Sequence, residues 1–243
     1  MELLQDGCPM LEIVYEDNHL LVVVKPPNLL TQGDKTGDVC LLDLAKADIK
    51  QRYQKPGEAY VGLVHRLDRP VGGLVVLAKT SKAASRLSEQ LKKHTMGREY
   101  LAVVCNASTL KDSTLVNYLL KDEKQGTVSV VNKNTNKAQE ARLSYTILQK
   151  DPLTDTALIK VTLESGRKHQ IRIQMANSGH PLLYDMRYGK GEKGKSIGLW
   201  GAILKLTHPT TKQELTFTSM PKGDAFLPFS QTITLFLSQL KPN

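Results

Sequence analysis

The chain holds little of what would confine it to a specialised class. It has only three cysteines, at positions 8, 40 and 105, and no C-x-x-C pair. An odd, widely spaced set argues against a disulfide framework or a zinc knuckle and suits a reducing cytoplasm. Long hydrophobic runs are missing: the longest purely aliphatic stretch is Leu20 to Val24, whereas a membrane helix needs roughly 20 apolar residues. The first ten residues contain Glu2 and Asp6 but no Lys or Arg, so the charged start of a signal peptide is not expected. No internal repeat, low-complexity segment or dividing linker is apparent, and one domain over 1–243 is expected. Disorder is excluded by composition, with 40% hydrophobic and 23% charged residues in 243.

Acidic residues are also in deficit. Lys plus Arg is 33 and Asp plus Glu is 24, a formal net charge of +9. Such a chain attracts polyanions at long range. Nucleic acid is the first partner class, an anionic membrane surface the second, and a surface charged only for solubility is the third reading.

Hydrophobic periodicity predicts strands at Leu11–Tyr15 and His19–Lys25 around a turn at Glu16-Asp17-Asn18. A helix is expected over Asp38–Tyr53, capped by Asp38, with Val39, Leu42, Leu44, Ala45 and Ile49 on one face. Gly73–Lys79 reads as a buried strand. A helix capped by Thr80 or Ser81 follows to about His94, with Ala83, Leu87 and Leu91 inward. Strands are expected at Glu99–Cys105, Ser113–Leu120, Thr127–Val131, Ala138–Leu148, Asp155–Glu164, Ile197–Leu206 and Glu214–Thr218. Helices are expected at Lys168–Ser178 and Phe229–Leu240. Consecutive strands with short turns argue for an α+β fold with a large mixed, mainly antiparallel sheet flanked by helices.

Three segments are unusual for a merely structural chain: His65-Arg66-Leu67-Asp68-Arg69-Pro70 before Val71-Gly72-Gly73, Gly97-Arg98-Glu99-Tyr100, and Gly166-Arg167-Lys168-His169-Gln170-Ile171-Arg172. The chain has nine Arg against 24 Lys, and five of the nine (66, 69, 98, 167 and 172) fall in these segments. Arginine is favoured where a planar fork must grip a carboxylate or phosphate at two points, so this concentration suggests a site. Asp68 stands between Arg66 and Arg69, which favour its ionised form. That suits a nucleophile or electrostatic anchor; an Asp capping the Pro70-Val71-Gly72 turn is the plainer alternative. His65 and His169 suit hydrogen bonds to backbone or phosphate better than metal ligation. Gly72, Gly73, Gly166 and Gly179 read most simply as turn and helix-end glycines.

His65-Arg66-Leu67-Asp68-Arg69 with Gly72-Gly73 and the following strand resembles the catalytic motif of the RluA-type pseudouridine synthases. Gly166 to Arg172, continuing to Gly179-His180-Pro181 and Asp185, is similar to that family's third motif. Lys25-Pro26-Pro27 resembles its first, and Arg98-Glu99-Tyr100 the segment carrying its active-site tyrosine. The resemblance covers about residues 11 to 220, with the motifs in family order. Two positions depart from the pattern: Val71-Gly72-Gly73 replaces the usual Thr-Ser-Gly, and Tyr184 stands where glycine is usual before Asp185. A bare catalytic domain without an N-terminal S4-like domain is expected.

The resemblance implies an RNA isomerase that breaks the uridine N1–C1′ bond, rotates the base and rejoins it through C5, with no cofactor and no metal. It implies that Asp68 is the essential carboxylate, acting on base or ribose or assisting a glycal route. Arg172 would pair with Asp68, and Tyr100 would stack on the flipped uracil. Ile171 would line the pocket. His65, Arg66, Arg69, His169 and Gln170 would contact the substrate, which is ribosomal or transfer RNA, and the enzyme would be a cytoplasmic monomer. Two rivals are a non-catalytic RNA-binding protein on the same fold, and a metal-dependent phosphodiesterase using His65, Asp68 and His169.

Overall fold

The structure is a computed structural model, and it describes residues 11–122 and 126–240; the expectations for residues 1–10, Cys8 among them, lie outside these. In chain order the elements are β1 (Glu12–Glu16), β2 (Leu20–Lys25), α1 (Leu41–Arg52), β3 (Gly62–Leu63), β4 (Gly72–Ala78), α2 (Ser81–Lys92) and β5 (Gly97–Cys105). There follow β6 (Ser113–Lys121), β7 (Val128–Val131), β8 (Gln139–Asp151), β9 (Thr156–Leu163), α3 (Gln170–Asn177), β10 (Leu199–Thr207), β11 (Glu214–Thr218) and α4 (Ser230–Ser238). The class is α+β, with antiparallel ladders in the sheet, as the pattern of consecutive strands predicts. Among the described residues no helix is long and apolar enough to cross a membrane.

The described residues form two compact units, one of residues 11–96 and 203–219, the other of 97–122, 126–202 and 220–240. The junctions carry no linker: the chain passes between units at the entry to β5, inside β10 and after β11.

In the first unit β2 is buried at every position, as is β4. Strands covered on both faces read as unbroken apolar runs rather than alternating ones, and this is what Leu20–Val24 and Leu74–Ala78 show. They pair antiparallel with Val23 opposite Val75 and Lys25 opposite Gly73. Asp17 closes the β1–β2 turn by accepting from the backbone N–H of His19 and Leu20, both at 2.7 Å, the short-range bonding that makes Asp a turn residue. Helix α1 starts three residues later than expected. Its N-cap is Cys40, with no side-chain cap bond; the N–H groups of Leu41 and Leu42 bond the Leu30 and Thr31 carbonyls instead, and Asp38, before the helix, is ion-paired to Arg69 at 2.8 Å. Val39 is therefore outside the helix and 57% exposed, and Leu41 takes the inner position. Thr80 does cap α2, its hydroxyl accepting from Ala83 N–H at 3.2 Å. Ala83 and Leu87 are buried, and Leu91 only half so.

In the second unit β5 pairs with β9, β9 with β8, β8 with β6 and β6 with β7, all antiparallel. Helix α3 packs Ile173 against Leu119, Val128, Val130 and Ala141 of these strands. It begins two residues after the expected Lys168, because His169 has φ 53° and cannot be helical. It ends in a Schellman motif: Gly179 N–H bonds the Ala176 carbonyl and His180 N–H that of Met175. Gly179 itself takes φ +88°, the left-handed value that favours glycine.

Candidate active site

Asp68 belongs to the first unit. It is half-buried in a turn entering β4, closed by Val71 N–H bonding the Asp68 carbonyl at 3.0 Å. The main chain makes this turn, so capping by the carboxylate is not needed to form it. Leu67, just before, is pinned at both its backbone groups by the Thr31 hydroxyl, which donates to the Leu67 carbonyl at 2.7 Å and accepts from its N–H at 3.2 Å. His65 is buried, and its Nε2 accepts from Val76 N–H at 3.2 Å. That bond requires a neutral ring with its proton on Nδ1.

Lys25 is the residue here whose role sequence reasoning missed. It is fully buried at the end of an aliphatic strand. Its ammonium donates to the carbonyls of Pro26, Leu29 and Arg69 at 2.9, 2.8 and 3.2 Å. All three donors are thus used, and one holds the residue next to Asp68. Burial pushes the Lys25 pKa down to about 7, against the pull of the Asp68 charge, which raises it. Its burial was legible in the sequence, since a lysine continuing the unbroken run Leu20–Val24 lies on a strand covered on both faces; its partners were not.

The flanking arginines differ. Arg69 is tied to Asp38, and its Nε donates to the Asn28 carbonyl at 3.3 Å. Arg66 is exposed.

Tyr100 and Arg172 belong to the second unit. Tyr100 is buried on β5, opposite Val161. Arg172 on α3 is 5% exposed and grips Asp185 with two bonds, Nε to Oδ2 at 2.9 Å and Nη2 to Oδ1 at 2.7 Å. From sequence its expected partner is Asp68; within its own unit it has this second carboxylate. Asp185 Oδ1 also accepts from the N–H groups of Arg187 and Tyr188. Burial raises the Asp185 pKa, but the Arg172 pairing and the two N–H bonds outweigh it and the net shift is downward. The Tyr188 ring lies 5.3 Å from the Arg172 guanidinium, and its hydroxyl bonds His169 Nδ1 at 2.8 Å. Asp185, Tyr188 and His169 therefore fix one rotamer of Arg172. Tyr184, at the family's glycine position, has φ 61°. The left-handed backbone explains why glycine suits that place.

Gln170 is 3% exposed and braces the loop before α3. Its Oε1 accepts from Ser165 Oγ at 2.8 Å and Arg167 N–H at 3.0 Å, and its Nε2 donates to the Arg142 carbonyl at 3.0 Å. Ile171 is buried beside it. Gly166 is a close-approach glycine rather than a simple turn residue: a Cβ there would lie 2.8 Å from Arg98 Nη1. Among the described residues no group of three or more His, Cys, Asp or Glu is placed to hold a metal ion.

The first unit thus presents Asp68 in a turn entering a buried strand, and the second presents Tyr100 on a strand and Arg172 held by Asp185 on a helix. Residues 19–177 match the family model described as RNA pseudouridylate synthase. The chain belongs to that family. Among curated relatives it is 32% identical over 237 residues to ribosomal large subunit pseudouridine synthase D of Zymomonas mobilis, covering 90% of this chain and 72% of that one. It is 34% identical over 184 residues to an uncharacterized RNA pseudouridine synthase of Bacillus subtilis, covering 75% and 59%. To tRNA pseudouridine synthase C of Pectobacterium carotovorum it is 31% identical over 253 residues, covering 94% and 63%. The chain thus spans about three-fifths of the length of several relatives. Human RNA pseudouridylate synthase domain containing 4 has the same fold, at TM-score 0.72 and 21% identity over 96% of this chain and 95% of that one.

Proposed function

We propose that the chain isomerises a specific uridine in structured RNA to pseudouridine, breaking the N1–C1′ bond and rejoining the base through C5. Asp68 is the essential carboxylate, Tyr100 the ring that stacks on the extruded uracil, and Arg172 the cation the reaction requires. Arg66 and Arg69 serve the RNA backbone, His65 and His169 order the loops that meet the substrate, and Ile171 lines the base pocket. The observation that carries this reading is family membership over 19–177, a span that includes Asp68, Tyr100 and Arg172. Because the span runs through both units, it supports treating them as one catalytic domain. Extruding a base costs a few kcal/mol of stacking, which phosphate contacts offset.

Relatives named for ribosomal RNA and for transfer RNA support one of these as the substrate. We place the enzyme in the cytoplasm as a monomer, needing no cofactor. The test is incubation of the purified chain with unmodified ribosomal and transfer RNA transcripts in excess chelator, followed by nucleoside mass spectrometry. Pseudouridine is expected to form despite the chelator. Binding of these RNAs with no pseudouridine would favour the non-catalytic alternative, and activity abolished by the chelator would contradict the metal-free mechanism.

A further inference from the structure

Of the five arginines in the three unusual segments, the mechanism gives no task to Arg98 and Arg167, and Arg98 is the one with no hydrogen-bond partner on its Nε. It enters β5 half-buried, with its guanidinium laid against Gly166: Nη1, Nη2 and Cζ would stand 2.8, 2.9 and 3.3 Å from a Cβ there. Its Nε is buried without a hydrogen-bond partner. No carboxylate pairs with it among the described residues, although Arg52, Arg69, Arg142 and Arg172 each have one. A half-buried cation without an acceptor is costly to keep, and its place suggests a ligand that supplies the acceptor.

The surroundings point to the ligand's charge. Arg167, next to Gly166, spends its Nε on the Glu140 carbonyl at 3.0 Å, and Arg187 spends Nη1 on the Gly126 carbonyl at 3.2 Å. Carbonyl partners leave both charges unneutralised. Arg98 also shares a face of β5 with Tyr100, two residues and about 7 Å along the strand.

We propose that Arg98, set against Gly166, is a preformed contact for a phosphodiester group of the RNA strand; the inference rests on the reading above of the chain as an RNA-modifying enzyme. The planar fork meets two phosphate oxygens where a lysine would meet one. Gly166 is required because any side chain there displaces the fork.

The test is filter binding of a large-subunit ribosomal RNA transcript over a salt series, for wild type, Arg98→Gln, Arg98→Lys and Gly166→Ala. Arg98→Gln should flatten the log–log salt slope by about 0.7–0.9, the loss of one phosphate contact, without lowering the melting temperature. Arg98→Lys should keep the slope. Gly166→Ala should weaken binding severalfold, but cost nothing further when combined with Arg98→Gln. An Arg98→Gln protein that binds with the wild-type slope and affinity overturns the inference. So does a lowered melting temperature with an unchanged slope, which marks a packing residue. If Arg98→Gln fails to fold, Gly166→Ala decides: unchanged affinity overturns the inference. Inorganic phosphate that protects wild type against heat but not Arg98→Gln, with equal RNA slopes, would assign the group to free phosphate and overturn it too. A wild type that binds no RNA defeats the proposed function itself, a separate result from any difference among variants.

Discussion

Around Asp68 two of the cations are already engaged, and Arg66 is exposed. Lys25 gives its three donors to backbone carbonyls, and Arg69 is paired with Asp38. Around Gly166 less of the charge is engaged: Arg98, Arg167 and Arg187 have no carboxylate among the described residues, whereas Arg172 pairs with Asp185 and Arg142 with Glu164. The first loop spends Lys25 on its own backbone and Arg69 on Asp38; the second keeps three arginines without a carboxylate among the described residues, and the proposed phosphate contact would use one of them.

The sharpest way to break this contrast is at Asp68. Asp68→Asn keeps the shape and removes the charge, so turnover should fall below detection while RNA affinity and melting temperature stay near wild type. Nucleoside analysis beside a binding isotherm checks both, and appreciable turnover without deamidation back to Asp would defeat the assignment.

Arg172→Ala comes next, because it strands the buried Asp185 carboxylate. One-sided loss of a buried pair costs about 3–5 kcal/mol, so denaturant unfolding should show that loss along with failing activity. Arg172→Lys should lose less. A fully active and stable Arg172→Ala would show that the buried pair is dispensable.

A pH series sharpens the same pair. The Asp185 pKa is lower folded than unfolded, so its contribution to stability is complete above the unfolded value. It is lost as the pH falls from there through the folded value. Asp185→Asn should flatten the acid limb of the stability curve relative to wild type, and an unchanged limb would deny the ion pair that role.

Smaller effects are expected where a ring, or a single exposed charge, is altered. Tyr100→Ala should cost roughly 1–3 kcal/mol of base stacking and leave the salt slope unchanged. Tyr100→Phe separates ring from hydroxyl: normal turnover would make the ring a platform only. Arg66→Gln should reduce the salt slope by about one contact.

Much of this was legible in the sequence because it is local. The unbroken apolar runs of β2 and β4, the Thr80 cap and the Gly179 helix end each depend on a few neighbouring residues. What could not be read there depends on distant chain. The start of α1 is set at Cys40 by the Leu30 and Thr31 carbonyls, about ten positions back, which take the N–H groups of Leu41 and Leu42 in place of an Asp38 cap. The Arg98 guanidinium lies against Gly166, where a Cβ would make it shift, and only the fold brings those together. Asp185 and Tyr188 were visible as motif members or neighbours, but their grip on Arg172 needs the turn after α3. Lys25 lay in a quoted motif without a role, since three carbonyl partners are not encoded by any local pattern.

The central claim is that this chain makes pseudouridine through Asp68, and pseudouridine mapping across total RNA tests it most directly. Parental cells are compared with cells lacking the chain and with the latter given back wild type or Asp68→Asn. The account predicts one or a few uridines in ribosomal or transfer RNA that lose modification in the deletion, regain it with wild type and stay unmodified with Asp68→Asn. An identical map in all four cell lines, or full restoration by Asp68→Asn, would contradict it.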